Sequence, residues 1–348
     1  MRIFVRRSGW ARPALWACAA MACLPAPAVR AQQPYQVIDQ WKIGGTGGWD
    51  YLTVDSLAHR LYITHGVRVD VVDTETGKAV GRIVGLHAIH GVALDDSGKY
   101  GYISDGGANE VVVFDRLSLE TVAHIAAGRN PDGIVYEPAT KTVWAFNGRS
   151  RSATVIDTET RAVVATIPLP GKPEFPAVDG AGNVYDNIES KNEIVRLDAH
   201  TYKVTAEWPV GCDSPSGLAM DQAGHRLFSV CDGRKMSVID ANTGKSLALP
   251  PIGEEPDAAA YSPAKNLAFA SCGEGELTVI DAGTPAYAAI ENLSTQQGAR
   301  TMAYDPATDR VYLVTADFGP PPAPTRKRPH PRPTIVPGSF TVLVVGRK

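Results

Sequence analysis

Apolar and polar positions alternate in short runs along most of the chain, and the runs recur in one order. A first run ends in an acidic residue, as in Gly91–Asp95 (GVALD) and Gly133–Glu137 (GIVYE). A polar turn such as DDSGK or EPATK follows, then a second run (GYISD, VWAFN, RLFSV), a V-x-D run, another turn and an outer run such as AVVATI. Period-two alternation rich in Val, Ile, Tyr and Phe, bounded by Gly, Pro, Asn and Asp, predicts β-strands joined by tight turns. The stretch Thr154–Ile167 (TVIDTETRAVVATI) shows the unit in its simplest form: strand, turn, strand. No segment sustains a 3.6-residue period, so helical repeats are excluded.

The spacing decides the architecture. Asp73, Asp115, Asp157, Asp198, Asp240 and Asp281 occupy the same place in successive phrases, at steps of 42, 42, 41, 42 and 41 residues. A period near 40 with four strands per unit is that of a β-propeller. The recurrence also makes these aspartates turn markers and removes them from the catalytic candidates. First strands begin near Trp49, Gly91, Gly133, Phe175, Gly217, Asp257 and Arg300, one for each of seven blades. The last unit holds Arg310–Val314 and Phe340–Val345 but no outer strand, and Tyr35–Ile43 matches the outer strands elsewhere. The expected fold is therefore all-β: a single domain over 32–348, a seven-bladed β-propeller of four-stranded blades, closed by the N-terminal strand pairing with the C-terminal blade. Closure removes exposed sheet edges.

The phrases VVDTETGK and VIDANTGK, with second strands such as LYITH and VYLVT, resemble the YVTN-repeat, YncE-like β-propeller family over the whole of Gln32 to Lys348. The four-letter YVTN signature is itself absent. The resemblance implies an exported propeller and assigns no reaction, because one fold carries many functions.

Composition changes this picture little: 44% hydrophobic, 20% charged and a net charge of -3 across 348 residues describe a globular chain with a large core. The near-neutral balance argues against a dedicated nucleic-acid protein. No apolar run reaches the roughly 20 residues of a membrane span. The N-terminus differs from the rest. Arg2, Arg6, Arg7 and Arg12 precede the apolar block Ala14–Leu24, and Val29-Arg30-Ala31 places small residues before Gln32. That is the pattern of a secretory signal peptide over residues 1–31 with cleavage near Ala31, so a periplasmic or secreted location is expected. Cys18 and Cys23 would leave with it. Cys212, Cys231 and Cys272 remain; a Cys212–Cys231 disulfide, buried or free thiols, and soft metal ligation are all open. There is no Cys-x-x-Cys-His haem attachment motif. Gly319 to Gly338 is a Pro-rich insertion in the last blade, made basic by Arg326, Lys327, Arg328, His330 and Arg332. It is expected to be a mobile, solvated loop or an arm that draws an anionic ligand to the ring.

Measured against the repeat, the residues that vary stand out. At the starts of the first strands lie Asp50, His90, Asp132, Glu174, Ser216, Asp257 and Arg300. At the ends of the second strands lie His65, Asp105, Asn147, Asn187, Cys231, Cys272 and Ala316. Both sets should ring one mouth of the channel. A polar ring with carboxylates, His and Arg suits a small-molecule or metal site. The ligand-binding candidates are Asp50, His90, Asp132, Glu174, Asp257, Arg300, Lys172, Asn147 and Asn187, with Trp49 as a stacking surface. For a divalent metal, His65, His90, Asp132 and Glu174 offer a mixed N and O set. Glu174, Asn147, Asn187 and Asp257 offer an all-oxygen set for calcium, similar in residue type to the site of gluconolactonase-like propellers. The Gly44–Gly48 run precedes no helix, so it reads as a turn and not a phosphate cradle.

The expected function is that of a non-catalytic scaffold or binding protein taking a small molecule, metal or protein partner at the mouth. A monomer is expected. The alternative is a metal-dependent hydrolase, lactonase or lyase at the same place, with His90, Asp132, Glu174 and Asp257 as catalytic candidates.

Overall fold

Strand formation follows the pattern. β-Branched and aromatic residues alternate with small or polar ones in the second and third strands of each unit, so each strand buries both faces between neighbouring blades. The computed structural model describes residues 1–5, 9, 33–325 and 333–348, and contains twenty-eight strands in seven four-stranded antiparallel sheets. Blade one is typical: Leu52–Asp55, Arg60–His65, Arg68–Asp73 and Ala79–Ile83, paired in sequence order. The chain divides into a short unit, Met1–Gln33, and the propeller, Pro34–Lys348. No helix among the described residues is long and apolar enough to cross a membrane.

The turn aspartates act as the repeat implies. Asp157 Oδ1 accepts hydrogen bonds from the Thr160 amide and the Thr160 hydroxyl, both 2.7 Å. Asp73 serves Thr76 in the same way at 2.8 Å each. The bond from the Thr160 hydroxyl, with that from its amide, holds the Asp157 carboxyl below the usual range.

The core lies between blades. Trp144, Phe146 and Val155 of blade three pack on Val184, Val195 and Leu197 of blade four, all buried. Each such side chain contributes on the order of 1.5–3 kcal/mol by leaving water. The ring closes as expected. Gln36–Lys42 pairs antiparallel with Thr341–Gly346, setting Trp41 opposite Val342, and the Trp41 ring lies 5.6 Å from that of Tyr312.

The insertion sits between Arg310–Thr315 and Thr341–Gly346 of blade seven. Its base is not a free loop: Phe318 and Ile335 form an antiparallel bridge, and the Gly319 amide donates to Thr334 O at 2.8 Å. The basic residues 326–332 lie outside the described residues, as do Arg6, Arg7 and the whole of 10–32, including Cys18, Cys23 and the cleavage site expected near Ala31. Cys212 and Cys231 are joined as a disulfide, with Cα atoms 5.9 Å apart, and Cys272 is a buried thiol.

Candidate functional site

First strands converge on the axis, and their backbones come close enough to dictate glycine. A Cβ on Gly133 would stand 2.4 Å from Glu174 O, and one on Gly217 would stand 2.5 Å from Ala258 Cα. Side chains of the second strands then fix the carbonyls of the ring residues in the next blade. The Thr64 hydroxyl donates to His90 O at 2.9 Å, that of Ser104 to Asp132 O at 2.6 Å, and that of Ser271 to Arg300 O. These buried polar groups are satisfied across the blade boundary, so the ring is held by the core itself.

Asp50, His90 and Asp132 come together at this mouth. His90 Nδ1 lies 2.7 Å from Asp50 Oδ2 and 3.4 Å from Asp132 Oδ1. One donor atom from each of the three fits within a 4.8 Å span. Glu174 pairs with Lys172 at 2.8 Å, and Lys172 also binds Glu189. Arg300 Nε donates to Asp257 Oδ2 at 2.6 Å, and its guanidinium stands 5.9 Å from the Trp49 ring.

Burial and like charge act together here. Burial alone would lower the His90 pKa, but the Asp50 hydrogen bond and the charges of Asp132, Asp50 and Glu174 outweigh it and raise the group to about 9. Burial raises Asp132 to about 6; Asp50 adds to this while His90 opposes it. Burial, then the Asp132 charge, raises Glu174 to about 8 against the pull of Lys172. Behind them Asp186 is fully buried, neither of its carboxyl oxygens has a hydrogen-bond partner in the described structure, and burial drives its pKa well above the carboxylate range.

The other candidates stand elsewhere. His65 does not join His90, Asp132 and Glu174: it is fully buried, its Nδ1 lies 2.8 Å from Asp70 Oδ2, and its ring packs 4.0 Å from Phe340. Asn187 is not at the ring position shared with Asn147. Register places Ile188 opposite Pro173 as Asn147 stands opposite Pro131. Asn187 instead donates to Ser216 O at 2.6 Å, the place Ser104 holds two blades earlier. The Asn147 side-chain nitrogen donates to Ser152 O and Thr154 Oγ1, both 3.0 Å, within its own hairpin, while its buried Oδ1 has no hydrogen-bond partner among the described residues. Trp49 is only 6% exposed and packs on Phe340 at 5.4 Å, so it offers core and not a stacking surface.

Three residues were missed by the pattern: Asp186, Tyr51 and Phe175. Asp186 was detectable, because the matching positions hold Ile103, Ala145, Ser229 and Ala270. Two cavities of 410 and 400 Å³ lie away from the ring. One runs beside the disulfide between Asn192 and Lys235, and one lies among Leu52, Val54, Tyr261, Met302 and Tyr304.

A scan against models of protein families finds no match. The chain is 29% identical over 148 residues to "Uncharacterized protein YncE" of Salmonella typhi, covering 40% of this chain and 42% of that protein. The protein of the same name from Salmonella typhimurium is 28% identical over 148 residues. The match spans about two-fifths of the length of these curated relatives. Among solved structures, the RRP9 WD40 repeats superpose with a TM-score of 0.74 at 11% identity, covering 90% of this chain and 99% of that one. Kuenenia stuttgartiensis hydrazine synthase gives 0.67 at 17% identity, covering 77% of this chain and 92% of that one. At these identities the likeness is one of fold. The chain is a seven-bladed β-propeller, and over two-fifths of its length its sequence is similar to YncE.

Proposed function

We propose that this protein is an exported, non-catalytic binding protein whose blades build one polar cup, at the ring mouth, for a positively charged ligand. The observation that carries this is His90 Nδ1 held between Asp50 and Asp132 in a mouth with more acid than base. Among the described residues there, Asp50, Asp132, Glu174, Glu189 and Asp257 face His90, Lys172 and Arg300, five acids against three bases. Burial first, and neighbouring carboxylates after it, raise the pKa values of Asp132 and Glu174, and a bound cation would oppose both. Export rests on the N-terminal pattern of residues 1–31. Thermal denaturation with chloride salts of inorganic and organic cations tests the reading. A ligand that binds the folded state raises the midpoint in proportion to its saturation, and Asp132→Asn should abolish the rise. No rise with any cation would dispose of it.

A second reading, a metal-dependent hydrolase, lactonase or lyase, is favoured by the three donor atoms of Asp50, His90 and Asp132. Elemental analysis of the purified protein decides it. A stoichiometric divalent metal, with turnover of a lactone or ester lost in His90→Ala, would support it; no retained metal and no turnover would sink it.

A further inference from the structure

In several blades the loop that enters the blade is fastened to the end of the second strand. In blade two the His87 amide donates to Asp105 Oδ2 at 2.8 Å, and in blade seven the Thr315 hydroxyl donates to Gln297 O at 2.6 Å. In blade five the fastener is covalent, the Cys212–Cys231 disulfide. Its two sulfurs are unequally placed. Cys231 is fully buried among Val210, Leu218 and Leu227, whereas Cys212 is half-buried and lines the cavity of 410 Å³. That volume lies in the range of small-molecule sites, roughly 300–1,000 Å³. The tethered segment is not in a relaxed conformation. Ser214 has a φ of 47°, the left-handed region that costs a non-glycine residue free energy, and Asp213 stands in register opposite Asp232, which sets like charges across the strand pair. Besides the disulfide, Asn192 holds the segment: its Oδ1 accepts from the Ser214 amide at 2.9 Å and its Nδ2 donates to Asp213 Oδ1 at 3.0 Å. The segment ends at the mouth in Ser216, whose hydroxyl donates to Pro256 O at 3.0 Å.

We propose that Cys212 is a thiol-exchange site for a small dithiol in the folded protein, and that reduction there frees residues 211–216 at the mouth. One thiolate of the dithiol attacks Cys212 Sγ, the sulfur that borders the cavity; the S–S bond breaks and Cys231 leaves as a thiolate. Buried beside Cys212, that thiolate is poorly solvated and attacks back, so a monothiol is expelled again. A dithiol escapes this return. Its second thiolate attacks its own sulfur in the mixed disulfide, Cys212 leaves as a thiolate, and the dithiol departs as a cyclic disulfide. Two electrons pass from the dithiol to the protein, and Cys212 and Cys231 take up the two protons that the dithiol has lost. With the bond cut, Asn192 alone opposes the left-handed Ser214 and the facing carboxylates. This inference is independent of the cation-binding reading.

Treatment of the folded full chain with dithiothreitol, or with 2-mercaptoethanol at equal thiol concentration, tests this. Acid quench, unfolding, alkylation and peptide mapping then read the state of Cys212 and Cys231. The expected result is reduction by dithiothreitol without denaturant, at a rate unchanged by urea below the unfolding transition, and at least tenfold less reduced protein with 2-mercaptoethanol. Amide hydrogen exchange over 211–216 should then quicken at least tenfold, while that over 227–229 holds. Reduction only where urea unfolds the chain overturns the proposal. So does equal reduction by 2-mercaptoethanol, and so does a reduced protein whose exchange over 211–216 is unchanged.

Discussion

Glu174 shows how one residue records the state of the mouth. Its carboxyl is raised from 4.5 to about 8, so between those values the folded chain keeps a proton that the unfolded chain has lost. Stability then falls as pH rises through that window. Asp132, raised from 3.8 to about 6, has the same sign. His90, raised from 6.5 to about 9, contributes stability that is complete below 6.5 and lost as pH rises through 9. All three predict a urea midpoint that declines from pH 5 to pH 9. Glu174→Gln should be more stable than the parent at pH 9, with the difference vanishing near pH 4.5. A variant less stable than the parent at pH 9 would show that the Lys172 pair outweighs the burial of the Glu174 charge.

At the level of the strand, close approach at the axis is the constraint. Gly133→Ala would drive a methyl against Glu174 O and Pro176 Cδ, at 2.4 and 2.5 Å. Overpacking of this kind costs about 1–3 kcal/mol, visible as a lower urea midpoint at unchanged slope. The disulfide spans 19 residues, from the loop before the first strand of blade five to the end of its second strand. A Cys212→Ser, Cys231→Ser double variant should lose about 3 kcal/mol on the chain-entropy account. Mass spectrometry after alkylation should label Cys272 only once the protein is unfolded, because that thiol is fully buried. Labelling of Cys212 without reduction would show that the bond is absent.

At the level of the whole ring, stability depends on closure. Removing residues up to Lys42 takes the outer strand from blade seven, bares the edge of Thr341–Gly346 and uncovers Tyr312 beneath Trp41. An exposed edge pairs with other chains. Size-exclusion chromatography of that truncation should show aggregates, where the full propeller elutes as one discrete species; a discrete, cooperatively folding truncation would show that closure is dispensable.

The chain's own pattern determined the strands, the 41- to 42-residue ruler, the seven blades and the closing strand, because each depends on local β-preference and turn chemistry repeated at fixed spacing. It also brought Asp50, His90, Asp132, Glu174, Asp257 and Arg300 to notice as the variable positions of one ring. Tertiary structure decided which side chains meet. Asn187 was misplaced by one residue because hydrogen-bonded register, and not residue type, aligns Ile188 with Asn147. His65 turned to Asp70 within its own hairpin, a contact that competes with the ring and has no mark in the repeat. Tyr51 and Phe175 are 124 positions apart in sequence and touch only because seven blades curve the chain back onto one axis. Spacing along the chain fixes a blade; only the closed ring fixes what faces its centre.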